Sequence, residues 1–141
     1  MAYFSATGTS GGGSVTPETP TLLWENSNPN SAFNGQTITI SGLSDYEQIM
    51  FEVLNSSSSV YTTQYYQKFV FNNNDKGVLS AYINKGSTDL TNVNILFRGF
   101  EISGNNIQFQ YGYYPSGSSH VSSGYICIPT KIYGYKKAII E

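Results

Sequence analysis

The sequence predicts an all-β fold: an antiparallel β-sandwich or jelly roll of about eight strands, with an extended N-terminal arm. Three observations predict it. The 141 residues include 12 Tyr, 8 Phe and 14 Gly. Aromatic residues favour strands, while Gly, Asn and Ser favour the turns between them. Short segments alternate apolar and polar residues with period two, and no segment of useful length carries a helical period. A chain of this size buries ~70% of its unfolded surface, enough for a core without staples.

Residues 1–20 read as the arm and residues 21–141 as the sandwich. Met1–Phe4 is an apolar tip, with Tyr3 and Phe4 as candidates for anchoring in another protein. Ser5–Pro20, SATGTSGGGSVTPETP, has no hydrophobic period and reads as a linker. As a flexible coil it spans roughly 20–24 Å on average.

Thr21–Glu25 (TLLWE) is the first strand, with Trp24, the single Trp, as a core residue. Asn26–Gly35 is a loop dense in turn formers, pinned to the core by Phe33. Gln36–Ser41 and Tyr46–Leu54 both alternate. Ile38 and Ile40 face inward in the first, and Ile49, Phe51 and Val53 form one row in the second. With Gly42–Asp45 between them, the two read as a hairpin. Asn55–Ser59 is a polar loop, Val60–Phe71 an aromatic-rich strand and Asn72–Lys76 a turn.

Gly77–Ile83 and Val93–Ile102 are strands on either side of the loop Asn84–Asn92. A tight turn at Gly104–Asn106 leads into Ile107–Tyr113, where Ile107, Phe109, Tyr111 and Tyr113 share one face and Gln108 and Gln110 the other. This is the clearest hairpin in the chain. Tyr114–Ser123 reads as a flexible loop holding His120, the single His. Gly124–Lys136 supplies the closing strand, with Ile126, Ile128 and Ile132 on one side and Tyr125, Cys127, Tyr133 and Tyr135 on the other. Both sides are apolar or aromatic, so it is expected at the centre of a sheet. Pro129 lacks an N–H, so a bend or bulge is expected there, splitting the strand in two.

Charge and composition narrow the function classes. Only 11% of residues are charged, the formal net charge is −2, and of 7 Lys and Arg only Lys136 and Lys137 are adjacent. Binding of phosphate chains needs clustered cations, so nucleic acid is not an expected partner. No run of ~18 apolar residues predicts a membrane span. The start lacks a basic segment followed by an apolar one, so no signal peptide is expected. Cys127 is alone, which excludes an internal disulfide and points to a buried small hydrophobe. From these features, folding in a cytoplasm is the expectation.

Catalytic chemistry finds little support. One His and one Cys are too few for a zinc site. Asn72–Lys76 lacks the Glu that closes a calcium loop of EF-hand type. There is no G-x-S-x-G elbow, and the small residues around His120 would not orient it for a triad, so a satisfied or solvent-exposed His is expected. Gly11–Gly13 precede no helix and make no phosphate cradle. Glu47 and Glu52 have opposite parity in one strand and cannot act as a glycosidase pair, while pairs between strands stay open. No cofactor, no metal and no enzyme activity are expected. Arg98, the single Arg, is expected to pair with a carboxylate at the sheet surface.

Binding finds more. Tyr combined with Ser, Gly and Asn makes adaptable contact surfaces at low entropic cost. Tyr61, Tyr65 and Tyr66 lie near one loop, and Tyr113 and Tyr114 lie beside His120. These six are the candidate ligand contacts, offering flat faces and hydroxyl tips to sugars or peptides.

Two patches resemble a known family. LLWENSNPNSAFNGQTITISGLSDYEQIMFEV (Leu22–Val53) and YICIPTKIYGYK (Tyr125–Lys136) are similar to small domains at the C-termini of phage tail-fibre and minor virion proteins. The shared features are a Leu-Trp-x-Asn-like opening, a Phe followed by Gln-Thr-Ile-x-Ile, a Leu-x-x-Tyr turn, and a closing Ile-Pro-x-Lys-Ile-Tyr-Gly. The last is matched here by Ile128, Pro129, Lys131, Ile132, Tyr133 and Gly134. The match covers about a third of the chain, at its two ends. It implies a virion component assembled in the host cytoplasm, a β-sandwich, a homotrimer, attachment to another virion protein through residues 1–20, and binding to host-surface glycan. Without a long shaft, a capsid head fibre or decoration protein with no receptor role is the alternative, and a carbohydrate-binding module is another.

Overall fold

The computed structural model describes residues 18–57, 65–84 and 93–136. Among them, nine strands form two antiparallel sheets packed as a sandwich. In chain order they are β1 (Thr21–Glu25), β2 (Gln36–Thr39), β3 (Gln48–Ser56), β4 (Tyr66–Asn72), β5 (Lys76–Asn84), β6 (Val93–Ser103), β7 (Asn106–Ser116), β8 (Ser119–Ser123) and β9 (Ile126–Tyr135). Sheet A has the order β1-β9-β3-β4. Sheet B has the order β2-β7-β6-β5, with β8 paired to the far end of β7. The all-β sandwich is the fold that the alternation and composition predict.

Phe51 on β3 sits where the two sheets meet. Its ring lies 4.7 Å from Phe100, 5.8 Å from Phe109 and 5.9 Å from Phe71. Phe33 extends this aromatic spine, edge-on to Phe109 at 5.4 Å and to Trp24 at 6.2 Å. Each such pair adds about 0.5–1.5 kcal/mol beyond the area it buries. Phe33 thus holds its loop on the core as expected, and Trp24 is partly buried against it.

Several expectations are corrected. Gln36–Ser41 and Tyr46–Leu54 are not a hairpin: β2 pairs with β7 in sheet B, while β3 pairs with β4 and β9 in sheet A. Leu43 in the connecting 3-10 turn is fully buried, so the link is a corner between sheets. Tyr114–Ser123 is not a loop: β7 runs on to Ser116 and β8 returns from Ser119. This ribbon is almost wholly exposed, so it carries no apolar period to read. The bulge expected at Pro129 is present, but it does not split the last strand. β9 is continuous between β1 and β3, and the register slips at Thr130, an extra residue opposite the Glu52–Val53 step. Strict alternation in β9 also fails at Cys127, whose φ of 45° is left-handed and whose neighbours Ile126 and Ile128 are buried with it.

Candidate functional site

The outer face of sheet B is set by one bulge. β6 and β7 pair Phe100 with Phe109, then Arg98 with Gly112, so β7 has one residue more than β6 across that step. Such an insertion reverses the parity of the residues beyond it. Ile107 and Phe109 point into the core, but past the bulge Tyr113 turns outward and Tyr114 packs toward the core. The single face expected for Ile107, Phe109, Tyr111 and Tyr113 is therefore broken at Gln110–Tyr111. Gln108 and Gln110 are exposed, as expected.

Register then groups the outward side chains in rows across the sheet. The first row runs Lys76, Glu101, Gln108, Thr37. Next come Val78 and Gly99. A third row runs Ser80, Phe97, Tyr113, Ser122, flanked by Tyr82 with Ile95 and Pro115 with His120. The Phe97 and Tyr113 rings stack at 5.3 Å with 25° between planes. His120 meets Tyr113 edge-on at 5.8 Å. Tyr82 and Ile95 are about half exposed, at 57% and 52%. The result is an aromatic platform on an outer face, in contact with water.

Beside the platform the sheet is hollow. Gly99 has no side chain, and a depression of about 310 Å³ opens above it between Lys76, Val78, Glu101, Gln108 and Gln110. The Gln110 amide lies over Gly99, with its Oε1 2.6 Å from where a Cβ would stand. A second hollow, of about 350 Å³, continues past Glu101 and Gln108 to Thr37, Ser103 and Asn106.

Arg98 lies beneath this face, on the core side of β6. It does not pair with a surface carboxylate. It is fully buried and donates to three backbone carbonyls: Nε to Cys127 at 2.8 Å, one terminal nitrogen to Gln110 at 2.5 Å, and the other to Ile126 at 3.0 Å. Its guanidinium also lies over the Phe33 ring at 5.2 Å. Burial lowers its pKa to about 10, which leaves it charged at neutral pH. One side chain thereby ties the bulge of β7 to the start of β9, and so fixes the strand that carries Tyr113.

Of the candidate contacts, Tyr113 and His120 come together, joined by Phe97. Tyr65 lies immediately before β4, its ring 5.5 Å from Tyr82 near the end of β5 and its hydroxyl donated to the Tyr82 carbonyl. Burial raises its pKa above the ordinary value. Tyr66 is 57% exposed but lies on the outer face of sheet A, beside a hollow lined by Glu25, Glu52, Thr130 and Lys131. There Glu52 and Glu25 flank Lys131, and the Thr130 hydroxyl donates to Glu52 at 3.0 Å. Tyr61, Tyr3 and Phe4 lie outside the described residues. Sequence reasoning missed Phe97, Gly99 and Glu101 as surface groups. Their signal is their odd-number parity in β6, opposite to Leu96, Phe100 and Ile102.

Among the described residues no three His, Cys, Asp or Glu side chains are grouped to hold a metal, and no helix is long and apolar enough to cross a membrane. No protein-family model matches the chain, and no curated protein matches it significantly.

Proposed function

We propose that the chain is a fibre-type structural protein of a bacteriophage virion, whose sandwich presents the outer face of sheet B to host-surface glycan. The observation that carries the binding half is the Phe97–Tyr113 stack with His120 beside a side-chain-lined hollow. Flat rings next to amide and carboxyl groups suit a ligand with apolar ring faces and hydroxyl edges. The virion half is supported by the resemblance carried in Leu22–Val53 and Tyr125–Lys136. We take the assembled state to be a homotrimer attached to the particle through residues 1–20, so that repetition turns weak single contacts into avidity. No catalytic step and no cofactor is assigned to the protein.

A glycan array probed with the full chain tests the binding half. Binding to host-envelope glycans should be present, lost in Tyr113→Ala and kept in Tyr66→Ala, which lies on the other sheet. Silence across the array, or loss only with Tyr66→Ala, would contradict it. Light scattering tests the assembly, with a mass of three chains expected.

A further inference from the structure

We infer that the ligand of sheet B is a neutral, extended oligosaccharide, lying along β6 from the Phe97–Tyr113 platform to the hollow at Glu101 and Gln108. This rests on the proposed glycan binding and gives it a chemical class and a direction.

The direction comes from spacing. From Phe97 to Glu101 is four strand residues, about 14 Å at the usual rise. That is long enough for more than one sugar ring. Along this path the character of the face changes in order: stacked rings first, then Gly99 with nothing above its backbone but the Gln110 amide, then Gln108 and Glu101. A ring stacked on Tyr113 leaves the next ring over a floor without side-chain bulk. The hollows on both sides of Glu101 and Gln108 continue the same line.

The charge comes from register. On these rows the described residues with formal charge at neutral pH are Lys76 and Glu101, and they are cross-strand partners. Their sum is zero. A phosphate-rich or sulfated chain requires clustered cations, as would a single-stranded nucleic acid stacking its bases on the same rings. The Arg98 guanidinium cannot supply the charge, because it is buried and donates to three carbonyls. Sugar hydroxyls both donate and accept. The Gln108 and Gln110 amides do the same, as does the Thr37 hydroxyl on the same row. The face therefore matches hydroxyls rather than anions.

The test is titration calorimetry of the full chain against two sets of probes. The neutral set is maltohexaose, chitohexaose and a linear galactohexaose, each with its disaccharide. The anionic set is hexagalacturonate and poly(glycerol phosphate). A neutral hexasaccharide is expected to bind more tightly than its disaccharide, with an affinity that changes less than about twofold as salt rises. It is also expected to weaken at least about tenfold in Gln108→Ala combined with Gln110→Ala. Both side chains are exposed, so this variant should fold, which its unfolding midpoint checks. Binding of hexagalacturonate without the neutral set, falling steeply with salt, would overturn the neutral ligand and leave the glycan reading standing; binding of poly(glycerol phosphate) alone, a chain without sugar rings, would overturn both. Equal affinity for disaccharide and hexasaccharide, or no effect of the double variant, would overturn the path along β6. Binding of neither set would overturn both this inference and the reading on which it rests.

Discussion

The Nε–H of Arg98 donates to the carbonyl oxygen of Cys127 across 2.8 Å, at a residue whose φ of 45° is left-handed. A side chain in that conformation costs roughly 1–2 kcal/mol. The guanidinium gains from it, because the turned carbonyl, with those of Ile126 and Gln110, makes a cage of acceptors. The prediction is that Arg98→Met leaves these carbonyls short of donors at about 1–3 kcal/mol each. Urea unfolding should show a loss of at least ~3 kcal/mol. Arg98→Lys should fall between, since an ammonium cannot reproduce the planar fork. A stable Arg98→Met protein would mean that the cage is incidental.

Cys127 gives a pH dependence. Burial raises its thiol pKa from the ordinary value to about 12. A group whose pKa is raised by folding contributes its stabilisation fully below the unfolded value, and that contribution is lost as pH rises through the folded value. The window therefore opens near pH 9 and runs to about 12. Between about pH 9 and 10.5 the wild type should lose stability faster than Cys127→Ala, which shares its many tyrosines. The native thiol should also be inert to a disulfide reagent at about pH 8 and react on unfolding.

Two glycines in sheet B separate packing from surface. A Cβ on Gly112 would stand 2.5 Å from Ile126 Cγ1, 2.7 Å from the Ile126 carbonyl oxygen and 2.8 Å from that of Ser123. Backbone on two sides cannot yield, so Gly112→Ala is expected to cost about 1–3 kcal/mol. A Cβ on Gly99 would meet only the end of the Gln110 side chain, which can swing away. Gly99→Ala should change the unfolding free energy by less than ~1 kcal/mol while weakening glycan binding. Parallel thermal melts and titrations distinguish the two.

Most of the sandwich was legible in the sequence because its strands alternate: β3 turns Ile49, Phe51 and Val53 inward, β6 Leu96, Phe100 and Ile102, and the first half of β7 Ile107 and Phe109. What was hidden lay where that signal is absent or shared. The β2–β3 link looks like a hairpin turn, and only the burial of Leu43 makes it a corner. β8 has polar residues on both faces, so no period marks it. Arg98 looked like a surface cation, because a single sequence cannot show that three distant carbonyls converge on it. The site was half legible. Tyr113 and His120 stood out by residue type, but Phe97 joins them only through pairing across β6 and β7, and a one-residue bulge decides which way Tyr113 faces.

Amide chemical-shift mapping of the full chain, titrated with the tightest-binding neutral hexasaccharide, addresses the central claim most directly. Shifts should concentrate on residues 95–101, 108–113 and 120–122, on one face of one sheet. Shifts confined to Glu25, Glu52, Tyr66 and Lys131 on sheet A, or none at saturating sugar, would contradict it.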